Sequence, residues 1–148
     1  MITVNRHTDA SPAEVWAVIA DGWSYANWVV GASRIRAVSS DWPAEGARIH
    51  HSVGAWPAVL DDETVVLHCE PGRLVRLRAK TNPLGAAFVE LELTPEGSGT
   101  RIEMREDAES GPISLVPQVA RQLAIAPRNR EATLRLALIA ERSTSPRA

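Results

Sequence analysis

Arg6, His51 and Glu106 are ionisable residues at positions where strand alternation places apolar side chains. Alternation sets Arg6 in line with Ile2 and Val4, His51 with Ile49 and Val53, and Glu106 with Ile102 and Met104. Burying an ionisable group is costly unless it is paired or solvated. Two readings fit. The three residues line a wet part of a cavity, with Asn129 joining them from a helix, or each simply marks a strand end at the rim. Glu106 and Arg6 could also pair with each other if the first and last strands run side by side. Inside a cavity, His51 and Glu106 would supply acid/base chemistry.

Other reactive residues offer less. Cys69 follows His68 directly, and adjacent strand residues point to opposite faces, so they form no dyad. Cys69 shares a face with Val65 and Leu67 and reads as an inert core thiol. The Gly-x-Ser-x-Gly serine motif is absent. His50 and His51 face opposite sides of one strand, and His50 meets His68 on the wet face if their strands pair. Two exposed histidines without a third ligand make a poor zinc site, so neither a metal nor a cofactor is expected. No phosphate loop, dinucleotide fingerprint or basic aromatic stripe is present, so nucleic acid is not an expected partner. Tryptophan supplies five of the seven aromatic residues. Trp16 reads as core. Trp28 and Trp56 lie near Gly31 and Gly54, and an indole suits a ligand portal as well as it suits loop anchoring.

The elements that must position these residues follow from periodicity. Ile2–Thr8 alternates as a strand. Ser11-Pro12-Ala13-Glu14 opens a helix: Ser11 fits the N-cap, Pro12 the first turn, and Glu14 closes a capping box. Asp21-Gly22 ends that helix, and Trp23–Val30 forms a second short helix or tight loop. Strands then follow at Arg34–Ser39, Ala47–Val53, Thr64–Glu70 and Arg73–Lys80, around Ala87–Leu93, and around Ile102–Met104. Leu77, Leu91 and Ile102 belong to the buried face, and Arg76, Glu92 and Arg101 to the wet face. From Ile113 to Arg142 the period turns helical, with Leu115, Val119, Leu123, Ala126, Leu134, Ala137 and Leu138 as the apolar stripe and a kink or break at Pro127. One-sided strands imply an antiparallel sheet with a single covered face. The layout is α+β: a curved antiparallel sheet of about seven strands around one long C-terminal helix.

The chain has 148 residues, one domain's worth, with 45% hydrophobic and 23% charged residues and a net charge of −2. This excludes wholesale disorder, a fibre and a coiled coil, and gives no strong pull toward nucleic acid or anionic membrane. No apolar run approaches the ~18 residues of a membrane helix, and no signal peptide opens the chain. With a single cysteine, a cytoplasmic protein without stable membrane insertion is expected. Residues 1–142 read as one domain, and residues 143–148 as a frayed tail.

The order of elements and their punctuation resemble the START-like, helix-grip (SRPBCC) superfamily, and within it the polyketide cyclase/dehydrase and lipid-transport group. The resemblance is carried by Asp9–Trp16, Asp21–Gly31, Trp42–Pro57, Leu93–Asp107, Gly111-Pro112 and Arg128–Glu141. It implies a cavity between sheet and helix that takes a hydrophobic or amphipathic molecule such as a lipid, polyketide or aromatic metabolite. Trp28, His51, Trp56, Met104, Glu106 and Asn129 are the expected wall. A carrier or binding protein is the first reading. A cyclase or dehydrase using His51 and Glu106 as acid/base groups is the alternative.

Overall fold

The computed structural model describes residues 1–53, 60–81 and 85–143. The elements run β1 (Ile2–Thr8), α1 (Pro12–Ala20), a 3-10 turn (Gly22–Ser24) and α2 (Tyr25–Trp28). Then come β2 (Ala32–Val38), β3 (Arg48–Val53), β4 (Leu60–Glu70), β5 (Leu74–Thr81), β6 (Gly85–Glu96) and β7 (Gly99–Ser110). A 3-10 turn (Pro112–Leu115) leads into α3 (Gln118–Arg142). Among the described residues the strands form one seven-stranded sheet in the order β1-β7-β6-β5-β4-β3-β2, every pair antiparallel. Consecutive strands β2 to β7 pair because short connections favour antiparallel neighbours. β1 closes the opposite edge beside β7, and α1 and α2 carry the chain across to β2. This is the helix-grip layout expected from the sequence.

The start of α1 follows its code. Ser11 Oγ accepts from the Glu14 amide at 3.2 Å, and Glu14 Oε1 accepts from the Ser11 amide at 3.2 Å. Val15, Val18 and Ile19 face the core. Leu77, Leu91 and Ile102 are buried on the sheet's inner face, and Arg76 and Arg101 are exposed on the outer face. Glu92 is half-buried there, because Arg73 and Arg105 close over it.

Three expectations need correction. In β4 the buried positions are Asp62, Thr64 and Val66, whereas Leu67 is 44% exposed. A bulge between Val66 and His68 shifts the register, so Cys69 packs toward the core while Val65 and Leu67 do not. In the register of β3 on β4, His50 opposes Glu63, not His68, which bonds Glu45 and Glu70 instead. Second, Arg6 and Glu106 do not pair. β1 and β7 are neighbours, but their register sets Arg6 opposite Ile102 and Glu106 opposite Ile2. Arg6 donates to Thr133 Oγ1 and the Arg130 carbonyl.

Third, the stripe that docks α3 is Ile125, Ala126, Asn129, Ala132, Thr133, Leu136, Ala137 and Ala140, at three- and four-residue spacing. Leu115, Val119 and Leu123 are 85%, 71% and 74% exposed, because α3 reaches the fold's core only from Ile125 onward. The helix continues through Pro127. Proline removes one ladder donor, to the carbonyl of Leu123, and both residues are exposed where water can replace it.

Ser11→Ala should lower unfolding free energy by about 1 kcal/mol in urea denaturation, through the lost cap. Leu91 is 1% exposed between Val75 and Met104, so Leu91→Ala should cost about 2–5 kcal/mol. A change under about 0.5 kcal/mol, the surface value, would place Leu91 outside the core.

Candidate functional site

Between the inner face of the sheet and helices α2 and α3 lies a cavity of about 110 Å³. Its existence follows from small side chains on facing elements. Ala32, Ala79, Ala87 and Ala132 all contribute to its wall, and so leave space that larger residues would fill. Val30, Leu77, Val89 and Met104 supply more of the apolar lining. Gly31, at φ +101°, turns the chain from α2 into β2 at the wall, a conformation other residues rarely adopt. Lys80, held by Glu63, and two polar clusters interrupt this apolar surface.

The first is a buried chain of three side chains. Tyr25 Oη lies 3.0 Å from Thr64 Oγ1, and His51 Nε2 lies 2.9 Å from that same oxygen. β3 and β4 set this up: His51 is opposite Asp62, and Thr64 sits two residues further along the same face. The Tyr25 ring stands between its neighbours, with centroids 5.5 Å from both Trp28 and His51. Burial pushes the Tyr25 hydroxyl up to about 12, against the bond from Thr64, so it stays protonated. Burial also holds His51 below the ordinary imidazole value. Asp62 pulls it upward, while Arg36 and His50 add to the depression and the Ser52 backbone opposes it weakly. His51 is therefore neutral near pH 7.

The second cluster joins β7 to α3. Glu106 is 3% exposed. Arg128 Nη2 donates to both of its carboxylate oxygens at 2.5 Å, and Asn129 Nδ2 donates to Oε2 at 3.0 Å. Helix α3 presents the two donors from consecutive residues: Asn129 is buried in the docking stripe and Arg128 reaches in from the exposed side. This satisfies a carboxylate that would be costly to bury alone.

The structure thus places Trp28, His51, Met104, Glu106 and Asn129 around one cavity. Trp56 lies outside the described residues. Arg6 is not in the wall. Tyr25, Thr64 and Arg128 complete the polar clusters and were not singled out from the sequence. Thr64 was legible in principle, since it alternates with Val66, but the bulge hid which face of β4 is buried. Among the described residues no group of three or more His, Cys, Asp or Glu side chains could hold a metal ion. No helix among them is long and apolar enough to cross a membrane.

A one-sided sheet gripping a helix over an apolar cavity defines the helix-grip fold. The chain belongs to the polyketide cyclase/dehydrase and lipid transport family, whose model matches residues 1–140. No curated protein matches it by sequence. Among solved structures it is similar to protein NE0264 from Nitrosomonas europaea, with a TM-score of 0.74 and 14% identity over 96% of this chain and 94% of that one. It is similar to Ara h 8.0201, with a TM-score of 0.71 and 9% identity over 95% and 97%. It also matches the di-domain ARO/CYC StfQ from the steffimycin biosynthetic pathway, with a TM-score of 0.74 and 10% identity over 96% of this chain and 50% of that one. At these identities the likeness establishes the fold.

The depressed value of His51 makes a signed prediction. The unfolded chain takes up the His51 proton more readily than the folded one. The stability linked to neutral His51 is complete above the ordinary value of 6.5 and declines as pH falls through it. His68 has the opposite sign: its bonds to Glu70 and Glu45 raise its value, so its contribution is lost as pH rises. In a His68→Gln background, the urea midpoint should fall between about pH 7 and pH 5. Adding His51→Leu should flatten that decline. An unchanged slope would remove His51 as its cause.

Proposed function

We propose that this chain is a cytoplasmic binding or carrier protein that encloses a hydrophobic or amphipathic small molecule, such as a lipid, polyketide or aromatic metabolite. The observation that carries this reading is the cavity itself, apolar over most of its wall with a few convergent polar groups, the usual composition of a small-molecule site. Trp28, His51, Met104, Glu106 and Asn129 are the proposed contacts, and family membership supports the same reading. Residues 1–142 are proposed to form the single domain that performs it.

The alternative is a cyclase-type enzyme, the class that the name ARO/CYC gives to StfQ. The specific observation in its favour is His51, neutral and buried in the wall, where an imidazole can accept a proton. Glu106 suits the acid/base role poorly, because Arg128 and Asn129 already engage its oxygens. The balance of the geometry favours binding.

An apolar fluorescent probe should titrate to saturation and quench tryptophan emission. Met104→Trp, which fills the cavity, should weaken that binding by at least about tenfold. Native mass spectrometry of protein from its own host should show a co-purifying small molecule. Non-saturable probe uptake that Met104→Trp leaves unchanged would overturn the proposal.

A further inference from the structure

Two residues of the cavity wall hold buried ring nitrogens that the protein leaves unmatched. Trp28 is 3% exposed, and its indole Nε1 has no hydrogen-bond partner among the described residues. A second donor follows from counting hydrogens along the Tyr25–Thr64–His51 chain. Neutral His51 has one N–H, and Tyr25 and Thr64 have one O–H each. Three hydrogens serve two links, at 3.0 and 2.9 Å. One hydrogen is left over in every tautomer and rotamer.

Its place can be narrowed. Thr64 is completely buried in the middle of the chain, and its hydroxyl contacts are those two links. A Thr64 hydrogen turned elsewhere would meet no acceptor among the described residues. The spare donor therefore emerges at an end, as the Tyr25 hydroxyl or as His51 Nδ1–H. Both residues line the cavity, and His51 Nδ1 has no partner in good hydrogen-bond geometry among the described residues, the Ser52 backbone acting on the ring only weakly. Buried polar groups in native proteins are almost always matched, so two unmatched donors in one wall point to what the wall receives.

We propose that the molecule held in this cavity is neutral and presents an acceptor oxygen, a carbonyl, ether or hydroxyl, to the Trp28–His51 side. This rests on the ligand-binding reading above and adds the chemistry of the ligand. A pure hydrocarbon leaves both donors bare. A carboxylate brings a further negative charge near Glu106 and Asp62, while the two cations of the wall are already engaged, Arg128 by Glu106 and Lys80 by Glu63. The Tyr25 and Trp28 rings, edge to face at 5.5 Å, give the wall flat aromatic surface. At about 110 Å³ the cavity is smaller than the roughly 150 Å³ that accommodates benzene, so the probes are kept to one ring with one short substituent.

The test compares three such probes by isothermal titration calorimetry at about pH 7.5, where His51 is neutral. Acetophenone carries a carbonyl. α-Methylstyrene has the same shape with =CH₂ in place of the oxygen. Benzoate is the anionic counterpart. Acetophenone should bind at least about tenfold more tightly than either. Trp28→Phe and His51→Leu, each checked for folding by circular dichroism, should both narrow the ratio of acetophenone to α-methylstyrene. Equal binding of these two by the unmodified protein would overturn this inference while leaving the ligand-binding reading intact. Tighter binding of benzoate would overturn the neutrality of the ligand. Binding of none of the three would overturn both readings together.

Discussion

The close approach of α3 to the sheet is the constraint on which the rest of this molecule depends. Its docking face combines Leu136, wholly buried, with Ala126, Ala132, Ala137 and Ala140. Small side chains let the helix lie near β1 and β7 without displacing the inner-face residues Leu91, Leu93 and Ile102. Hydrophobic burial is non-directional, so these contacts hold the helix but do not orient its polar residues. Orientation comes from specific bonds. Thr8 Oγ1 donates to Glu141 at 2.7 Å near the C-terminal end, and Arg6 reaches Thr133 and the Arg130 carbonyl midway.

The same approach creates the cavity. Toward Ile125, the helix face changes from closely packed alanines to Asn129 with Arg128 beside it, and the sheet answers with Glu106 rather than an apolar side chain. A carboxylate there keeps the elements apart and bonded at once. Its charge is balanced locally, so the space beside it can remain apolar. On the far side, Tyr25 spans from α2 to Thr64 and fixes His51 through a neutral chain. The two clusters thus have different electrical characters. One is an ion pair open to solvent through Arg128, which is 43% exposed at its side chain. The other is a neutral relay sealed from solvent.

The outer face of the sheet has a separate task. Glu90 is largely covered by Arg76 and Arg105, and Arg105 also engages Glu92 and Glu103. Exposed ion pairs are individually weak, but a cross-strand lattice of this kind fixes which strands neighbour each other and keeps the wet face polar. The inner face is then free to carry the cavity-lining residues.

Much of the fold was legible from residue order alone, because alternation and capping are local. Ser11 and Glu14 form their capping box from neighbours three residues apart, and Ile49–His51 or Leu91–Leu93 declare a face through period two. His51, Glu106 and Asn129 stood out because a polar residue on an apolar face is a local contradiction. Tertiary structure decided what local pattern cannot encode. Asp62, Thr64 and Val66 took the buried face of β4 and left Leu67 outward, and the bulge after Val66 then returned Cys69 to the core side, since one extra residue exchanges faces. Leu115, Val119 and Leu123 have helical spacing but lie where the core offers them no partner. Tyr25, in a helix of four residues, has no period to reveal its direction, and its bond to Thr64 joins residues 39 positions apart. Residue types and local spacing determined the elements and the anomalies. Which anomalies face one another depended on register and helix placement, which are set by packing across the whole chain.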